Sequence, residues 1–343
     1  MAAPETGAAV LVTGGAGYIG SHVCKALAAA GYRPVTYDNL SAGHRWAVRW
    51  GPLERGNLAH AARLENAIRR HRPFAVVHLA GVIAAGESVV DPAKYYDINV
   101  AGTLTLLSVM RRQGVDRIVF SSSAAVYGEP LATPIREDHP LAPINPYGAG
   151  KLVCERMLHD FAAAYGLRSV SLRYFNAAGA DPDGDIGEAH RTETHLIPLV
   201  LDAALGLRPN VAVYGRDYPT RDGTCLRDYI HVSDLAAGHV LATDFLAANT
   251  GAHVFNLGTG TGATVAEVIA AAARVTGRPI PVRTEPRRPG DPACLVAEAG
   301  RAREALGWTP RYSMLEEQIT SAWRWQNRQV AGADFSRYHM TAG

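Results

Sequence analysis

Cysteine is scarce and scattered in this 343-residue chain: Cys24, Cys154, Cys225 and Cys294 are all it has, and no two form a Cys-x-x-Cys pair. That spacing speaks against a disulfide framework and a cysteine zinc site, so reduced structural thiols and no bound metal are expected. Long hydrophobic runs are missing too. No segment approaches the roughly 20 apolar residues that cross a bilayer. The first residues, Met1 to Val12, have no basic stretch ahead of their apolar run, which leaves a cytoplasmic protein with no membrane partner as the expectation. Nor does charge of one sign accumulate. Lys and Arg number 34 against 32 Asp and Glu, a formal +2 with no basic block, so composition offers no argument for nucleic acid or membrane surfaces. A small anionic ligand needs only a few local arginines. There is no internal repeat and no low-complexity segment.

What the chain does have is apolar content, 48% of its residues, enough to bury a substantial core. Short apolar runs at Ala8–Thr13, Pro34–Asp38, Phe74–Ala80, Arg117–Ser123 and Ser169–Phe175 alternate with helix-like stretches. Such alternation predicts an α/β fold, a Rossmann-type doubly wound parallel sheet covered on both faces, with ligands at the carboxyl ends of the strands. Beyond residue 176 the pattern turns irregular, with turn-rich segments such as Asp181-Pro182-Asp183-Gly184. We therefore expect a dinucleotide-binding unit over residues 1–176 and a smaller C-terminal substrate-binding α/β lobe over 177–343. Later residues, about 228–260, should return to the large sheet, because His253–Leu257 reads as another buried strand.

The first strand runs into Gly14-Gly15-Ala16-Gly17-Tyr18-Ile19-Gly20, which satisfies both GxxGxxG and GxGxxG. Placed between a strand and a helix, glycines permit a tight turn and let backbone amides approach a pyrophosphate. The bland alternative is a glycine-rich turn without a ligand. Asp38 ends the second strand, where a carboxylate would accept the ribose hydroxyls and repel a 2′-phosphate, favouring NAD over NADP. An ordinary strand-end turn at Asp38-Asn39 is the competing explanation, and the nearby His44 and Arg45 keep NADP open.

Tyr147 and Lys151 stand four apart, hence on one helix face, and Pro146 suits the first position of that helix. A lysine ammonium favours a phenolate, which would let Tyr147 act as a base near neutral pH. Tyr-x-x-x-Lys alone also fits an exposed helix face. Ser123 at a strand end strengthens the catalytic reading: Ser123 would hydrogen-bond the substrate oxygen, Tyr147 exchange its proton, and Lys151 hold a cofactor ribose.

Thr13–His22 (TGGAGYIGSH), Asp38–Leu40, Gly86–Val89 (GESV), Phe120–Gly128 (FSSSAAVYG), Leu172–Gly179 (LRYFNAAG) and Asp217–Leu235 (DYPTRDGTCLRDYIHVSDL) carry a resemblance over nearly the whole chain. The sequence resembles the extended short-chain dehydrogenases/reductases, and within them the UDP-glucose 4-epimerase group. The resemblance implies an NAD that is tightly bound and not consumed, held by Gly14, Gly17, Tyr18, Ile19, Gly20, Asp38 and Asn39. Asn57, Leu58, Leu79, Ala80, Gly81 and Phe175 would complete that site, together with Tyr147 and Lys151. It also implies a UDP-sugar whose 4-hydroxyl is oxidised to a ketone and reduced again on the other face.

By the same resemblance Asn176, Arg227 and Arg288 meet the diphosphate, Tyr214 stacks on uracil, Asp291 binds the uridine ribose, and Leu196 lines the nucleotide cleft. Singly, Arg227 could instead pair with Asp228, and Tyr214 could be core. Departures from the group's pattern are Asn57 for an aspartate near adenine, Ile83 for a lysine near the phosphates, and His195 for an asparagine near the diphosphate. Leu295 stands for a tyrosine beside the hexose. Leu295 opens the alternatives of a UDP-N-acetylhexosamine or UDP-xylose/arabinose 4-epimerase. A nucleotide-sugar dehydratase would need an acid after Ser123, where the chain has Ala124-Ala125, and a non-catalytic NAD-binding regulatory protein would not need Ser123, Tyr147 and Lys151 together. The resemblance further implies a homodimer through helices around 92–113 and 147–165.

Overall fold

The computed structural model describes residues 7–288 and 291–332, so the outermost ends of the two expected units lie outside the described residues. Seven strands form one all-parallel sheet, in the order Ala252–Leu257, Arg168–Tyr174, Arg117–Ser121, Ala75–His78, Ala9–Thr13, Arg33–Asp38, Leu53–Arg55. From Ala9–Thr13 the chain winds outward to Leu53–Arg55, then crosses back to Ala75–His78 and winds the other way. That reversal opens a crevice at the carboxyl ends of the two central strands.

The central strands are apolar on both faces because both faces are covered. Val10 and Val12 belong to one core, with Val23 and Leu27 of the helix Tyr18–Ala29 and Leu235 and Leu246 of the helix Val232–Ala248. Ala9 and Leu11 point the opposite way, into a core with Leu64, Leu106 and Leu158 of the helices Ala61–His71, Gly102–Arg112 and Pro146–Tyr165. Strand alternation assigns the faces, and each buried Val or Leu contributes about 1.5–3 kcal/mol.

Short strands and three helices build the second lobe. Val211–Tyr214 pairs with Val282–Glu285, and Leu226–Arg227 lies between Ala263–Thr264 and Cys294–Leu295. Its core joins Val200 and Leu201 of the helix Leu196–Leu205, Val268 and Ala271 of Val265–Thr276, and Ile319 of Leu315–Gly332. The chain does not divide cleanly: Ala252–Leu257 forms an edge of the large sheet, and Ala299, Leu306 and Trp308 pack into the core beneath it. Among the described residues, no helix is long and apolar enough to cross a membrane.

Candidate active site

The glycine loop leaves the strand Ala9–Thr13 and enters the helix Tyr18–Ala29 with no room for a side chain at Gly14 or Gly20. Gly14 has φ of +73°, and a Cβ there would lie 2.7 Å from the Ala80 amide nitrogen; one on Gly20 would lie 2.1 Å from the Gly14 carbonyl oxygen. The turn is thus packed backbone on backbone and presents its amides at a helix N-terminus, a cradle that fits a dinucleotide pyrophosphate. Asp38 is buried and accepts hydrogen bonds from the Ala16 amide at 3.0 Å and the Leu40 amide at 2.7 Å, so it braces the loop besides ending its strand.

Beside it Asn39 and Asn57 line a cavity of about 340 Å³ with Arg55, Gly56, His60 and Arg63. Arg55, His60 and Arg63 were not anticipated; they follow an edge strand, Leu53–Arg55, too short to leave a sequence pattern. Leu58 packs in the core instead of lining this cavity, and Leu79 packs against the opposite core. His44 Nε2 lies 2.6 Å from the Ala189 carbonyl oxygen, and its ring stacks on Trp46.

Across the crevice, Asn99 clamps the segment after Ala75–His78: its side chain accepts from the Val82 amide and donates to the Val82 carbonyl, both at 2.9 Å. Ala80 and Gly81 are held there, with no space for a side chain at Gly81 because Asn99 Oδ1 lies 2.7 Å from where its Cβ would be. Ile83 is exposed.

Pro146 occupies the first turn of the helix Pro146–Tyr165, and the Asn145 side chain caps it by accepting from the Gly148 amide at 2.9 Å. Ser88, from the GESV segment, accepts from the Tyr147 amide at 3.2 Å, so one of the open N–H groups of the helix is satisfied by the loop opposite. Tyr147 and Lys151 share a face, with the ammonium 5.8 Å from the phenol ring centroid. Lys151 is buried and donates to the Ser121 carbonyl at 2.6 Å. Ser123 follows at the end of that strand, and its Oγ caps the short turn Ala124–Val126 by accepting from the Ala125 amide at 3.2 Å.

Burial raises the Tyr147 phenol above its ordinary value, and the hydrogen bond to Ser123 is what pulls it back down. Burial also lowers Lys151 to about 8, against Cys154 and Glu155, which favour its charge. Burial therefore favours the neutral phenol, and the hydrogen bond to Ser123 works the other way, toward the phenolate that a base requires.

A buried network fixes the serine loop to the helix. Glu155 accepts from Ser122 Oγ at 2.5 Å and from Arg173 Nε at 2.9 Å, and it pairs with Arg173 Nη2 at 2.6 Å. Arg173 also donates to the Tyr127 hydroxyl at 3.1 Å, which in turn donates to Asn256 Oδ1 at 2.6 Å.

The second lobe brings several expected residues together in pairs. Arg227 forms a salt bridge with Asp291, and the Arg288 guanidinium lies 4.1 Å from the centroid of Tyr214. Asp228 is not the partner of Arg227. Fully buried, it accepts from the Thr259, Gly260 and Ala297 amides at 2.8, 3.0 and 3.1 Å. Asn176 pairs in register with Tyr229. Leu295 and Phe175 pack against the Ala124–Tyr127 turn, next to Ser123.

Leu196 begins its helix directly after His195, whose Nδ1 lies 2.8 Å from Glu193 and 2.9 Å from Glu188. Burial works against its protonation, yet those two carboxylates hold His195 at about 10. His190 contacts the same pair and is raised to about 9. Glu188, His190 and Glu193 were not anticipated.

With this geometry in hand, the chain can be compared with known proteins. Residues 10–258 match the NAD dependent epimerase/dehydratase family. UDP-glucose 4-epimerase of Rhizobium meliloti is 54% identical over 323 residues, covering 94% of this chain and 98% of that protein. Among solved structures, UDP-glucose 4-epimerase from Brucella ovis in complex with NAD superposes with a TM-score of 0.90 at 51% identity, over 92% of this chain and 98% of that one. UDP-glucose-4-epimerase from Stenotrophomonas maltophila, with bound NAD and formylated UDP-arabinopyranose, gives a TM-score of 0.92 at 40% identity, over 95% of this chain and all of the other.

Proposed function

The chain belongs to the NAD-dependent epimerase/dehydratase family, and from that premise we propose that it interconverts UDP-glucose and UDP-galactose by inverting the sugar at C4. The observation that carries this reading is the convergence of Ser123, Tyr147 and Lys151 at the carboxyl edge of a sheet whose glycine loop fits a dinucleotide.

The glycine loop, Asp38 and the Asn57 cavity would hold NAD, which would supply a reversible hydride acceptor. The residues of the chain do the rest. Tyr147 takes the proton of the 4-hydroxyl and later gives it back, and Ser123 holds the same oxygen by a hydrogen bond. Lys151 anchors the cofactor ribose and supplies positive charge beside the phenol. Arg227, Arg288 and His195 bind the diphosphate, with Asn176 beside them, while Tyr214, Asp291 and Leu196 hold the uridine. Binding concentrated on the nucleotide leaves the hexose free to turn over, so both faces of C4 reach the hydride.

Ala124 and Ala125 form the turn after Ser123, and neither can supply the acid that elimination of water requires. Leu295, beside Ser123, leaves more space next to the sugar than a tyrosine would, which extends the proposed substrates to N-acetylated hexoses. The protein acts in the cytoplasm as a homodimer through the helices Gly102–Arg112 and Pro146–Tyr165, whose Leu104 and Val153 expose apolar surface.

Incubating the protein with UDP-galactose, with no added NAD, tests the proposal. UDP-glucose should appear, and Tyr147→Phe should lower turnover by ~10²–10⁴-fold while NAD remains bound. Failure to convert UDP-galactose by protein that retains NAD would refute it. The same assay with UDP-N-acetylgalactosamine reads the space beside Leu295.

A further inference from the structure

The loop ahead of the helix Leu196–Leu205 carries a cluster that epimerisation does not use as a unit. Glu188, His190, Glu193 and His195 each bring one carboxylate oxygen or ring nitrogen within 4.8 Å of the others. His190 Nδ1 stands 3.1 Å from Glu188 Oε1 and 3.3 Å from Glu193 Oε2. His195 Nδ1 stands 2.9 Å from Glu188 Oε1 and 2.8 Å from Glu193 Oε1. An imidazole Nδ1 carries at most one hydrogen, so four such contacts can hold no more than two linear N–H···O bonds. A cation among these ring nitrogens and carboxylate oxygens would engage both imidazoles and both carboxylates.

We propose that Glu188, His190, Glu193 and His195 form a zinc site. Two imidazole nitrogens and two carboxylate oxygens are a donor set that zinc accepts. Tetrahedral ligands about 2.0–2.1 Å from a zinc ion stand roughly 3.4 Å from one another. The nitrogen–oxygen separations of 2.8–3.3 Å therefore need to open by about 0.1–0.6 Å.

Four protein ligands close the coordination sphere, so the ion would be structural rather than catalytic. The surroundings already hold the loop in place: Trp325 Nε1 donates to the Glu188 carbonyl at 2.9 Å, His44 reaches the Ala189 carbonyl, and Tyr18 meets the His190 ring edge-on. Zinc would staple this stretch immediately before Leu196, and coordination through Nδ1 leaves His195 Nε2 for the diphosphate. The neighbouring carboxylates Asp181, Asp183 and Asp185 are a different case, because Lys25 Nζ already sits among them at 2.9, 2.7 and 3.2 Å.

The proposal stands on loop geometry and does not depend on the substrate assignment. To test it, the full-length protein is stripped with EDTA, incubated with zinc, passed through metal-free gel filtration and assayed by elemental mass spectrometry. The wild type should retain one zinc per chain and the double variant His190→Ala/Glu193→Gln none. Cobalt(II) added to stripped wild type should give the intense visible bands of a tetrahedral site without a thiolate charge-transfer band, a readout independent of the variant's folding. Zinc absent from the wild type, or equal zinc in a folded variant, would overturn the site and leave an ion-pair network only. A thiolate band would overturn it in favour of the cysteines.

Discussion

Burial pushes Tyr147 and Lys151 alike toward their uncharged forms, the phenol by raising its value and the amine by lowering it to about 8. For Lys151 the sign of the pH effect follows directly. Its folded value lies below the ordinary 10.5, so the unfolded chain binds the proton more tightly, and folding carries a penalty that is constant below about pH 8 and fades as pH rises toward 10.5. We predict that the stability of cofactor-free wild type, measured against Lys151→Met by urea unfolding, improves as pH climbs through this window, by about 3 kcal/mol across its full width. A flat difference between pH 7 and 9.5 would show that the ammonium carries no desolvation penalty. Other residue roles were legible only in part. The spacing of Tyr147 and Lys151 reports their shared helix face and says nothing of the burial around them, which raises the phenol and lowers the amine. Likewise the pairing of Arg227 with Asp291 spans distant segments of the second lobe, where no periodic pattern leads from one to the other.

At the scale of elements, the active site depends on keeping the serine loop registered against the helix Pro146–Tyr165. Ser122, Glu155, Arg173, Tyr127 and Asn256 form one buried chain of hydrogen bonds that ties the loop to that helix and to the strands Arg168–Tyr174 and Ala252–Leu257. Removing one partner leaves a charge buried and unpaired, so Arg173→Met should cost about 3–5 kcal/mol in denaturant unfolding. A loss below about 1 kcal/mol would mean that Glu155 escapes to water or takes up a proton at little cost. The parallel strands that frame the crevice were readable as near-continuous apolar runs, since both faces are covered. The edge strand Leu53–Arg55, three residues long and only half-buried, gave no such run, and the cavity residues Arg55, His60 and Arg63 were missed with it. Ser88 shows the converse: its segment was noticed by resemblance, and the structure supplies the physical reason, a cap on the catalytic helix.

For the whole molecule, exposed Leu104 and Val153 stand on neighbouring helices of the same face of the sheet, where packing against a second copy would cover them. Leu104→Glu/Val153→Glu should convert a dimer to a monomer in light scattering coupled to gel filtration, without unfolding the chain, because neither side chain belongs to the core. An unchanged mass would move the interface elsewhere. The central claim concerns the cleft between the lobes: the hydride that leaves C4 comes back to C4 within one binding event. UDP-galactose bearing deuterium at C4, incubated without added NAD, tests this most directly. The account predicts UDP-glucose with the deuterium retained at C4, whereas hydrogen from water at that carbon, or no product until NAD is supplied, would contradict it.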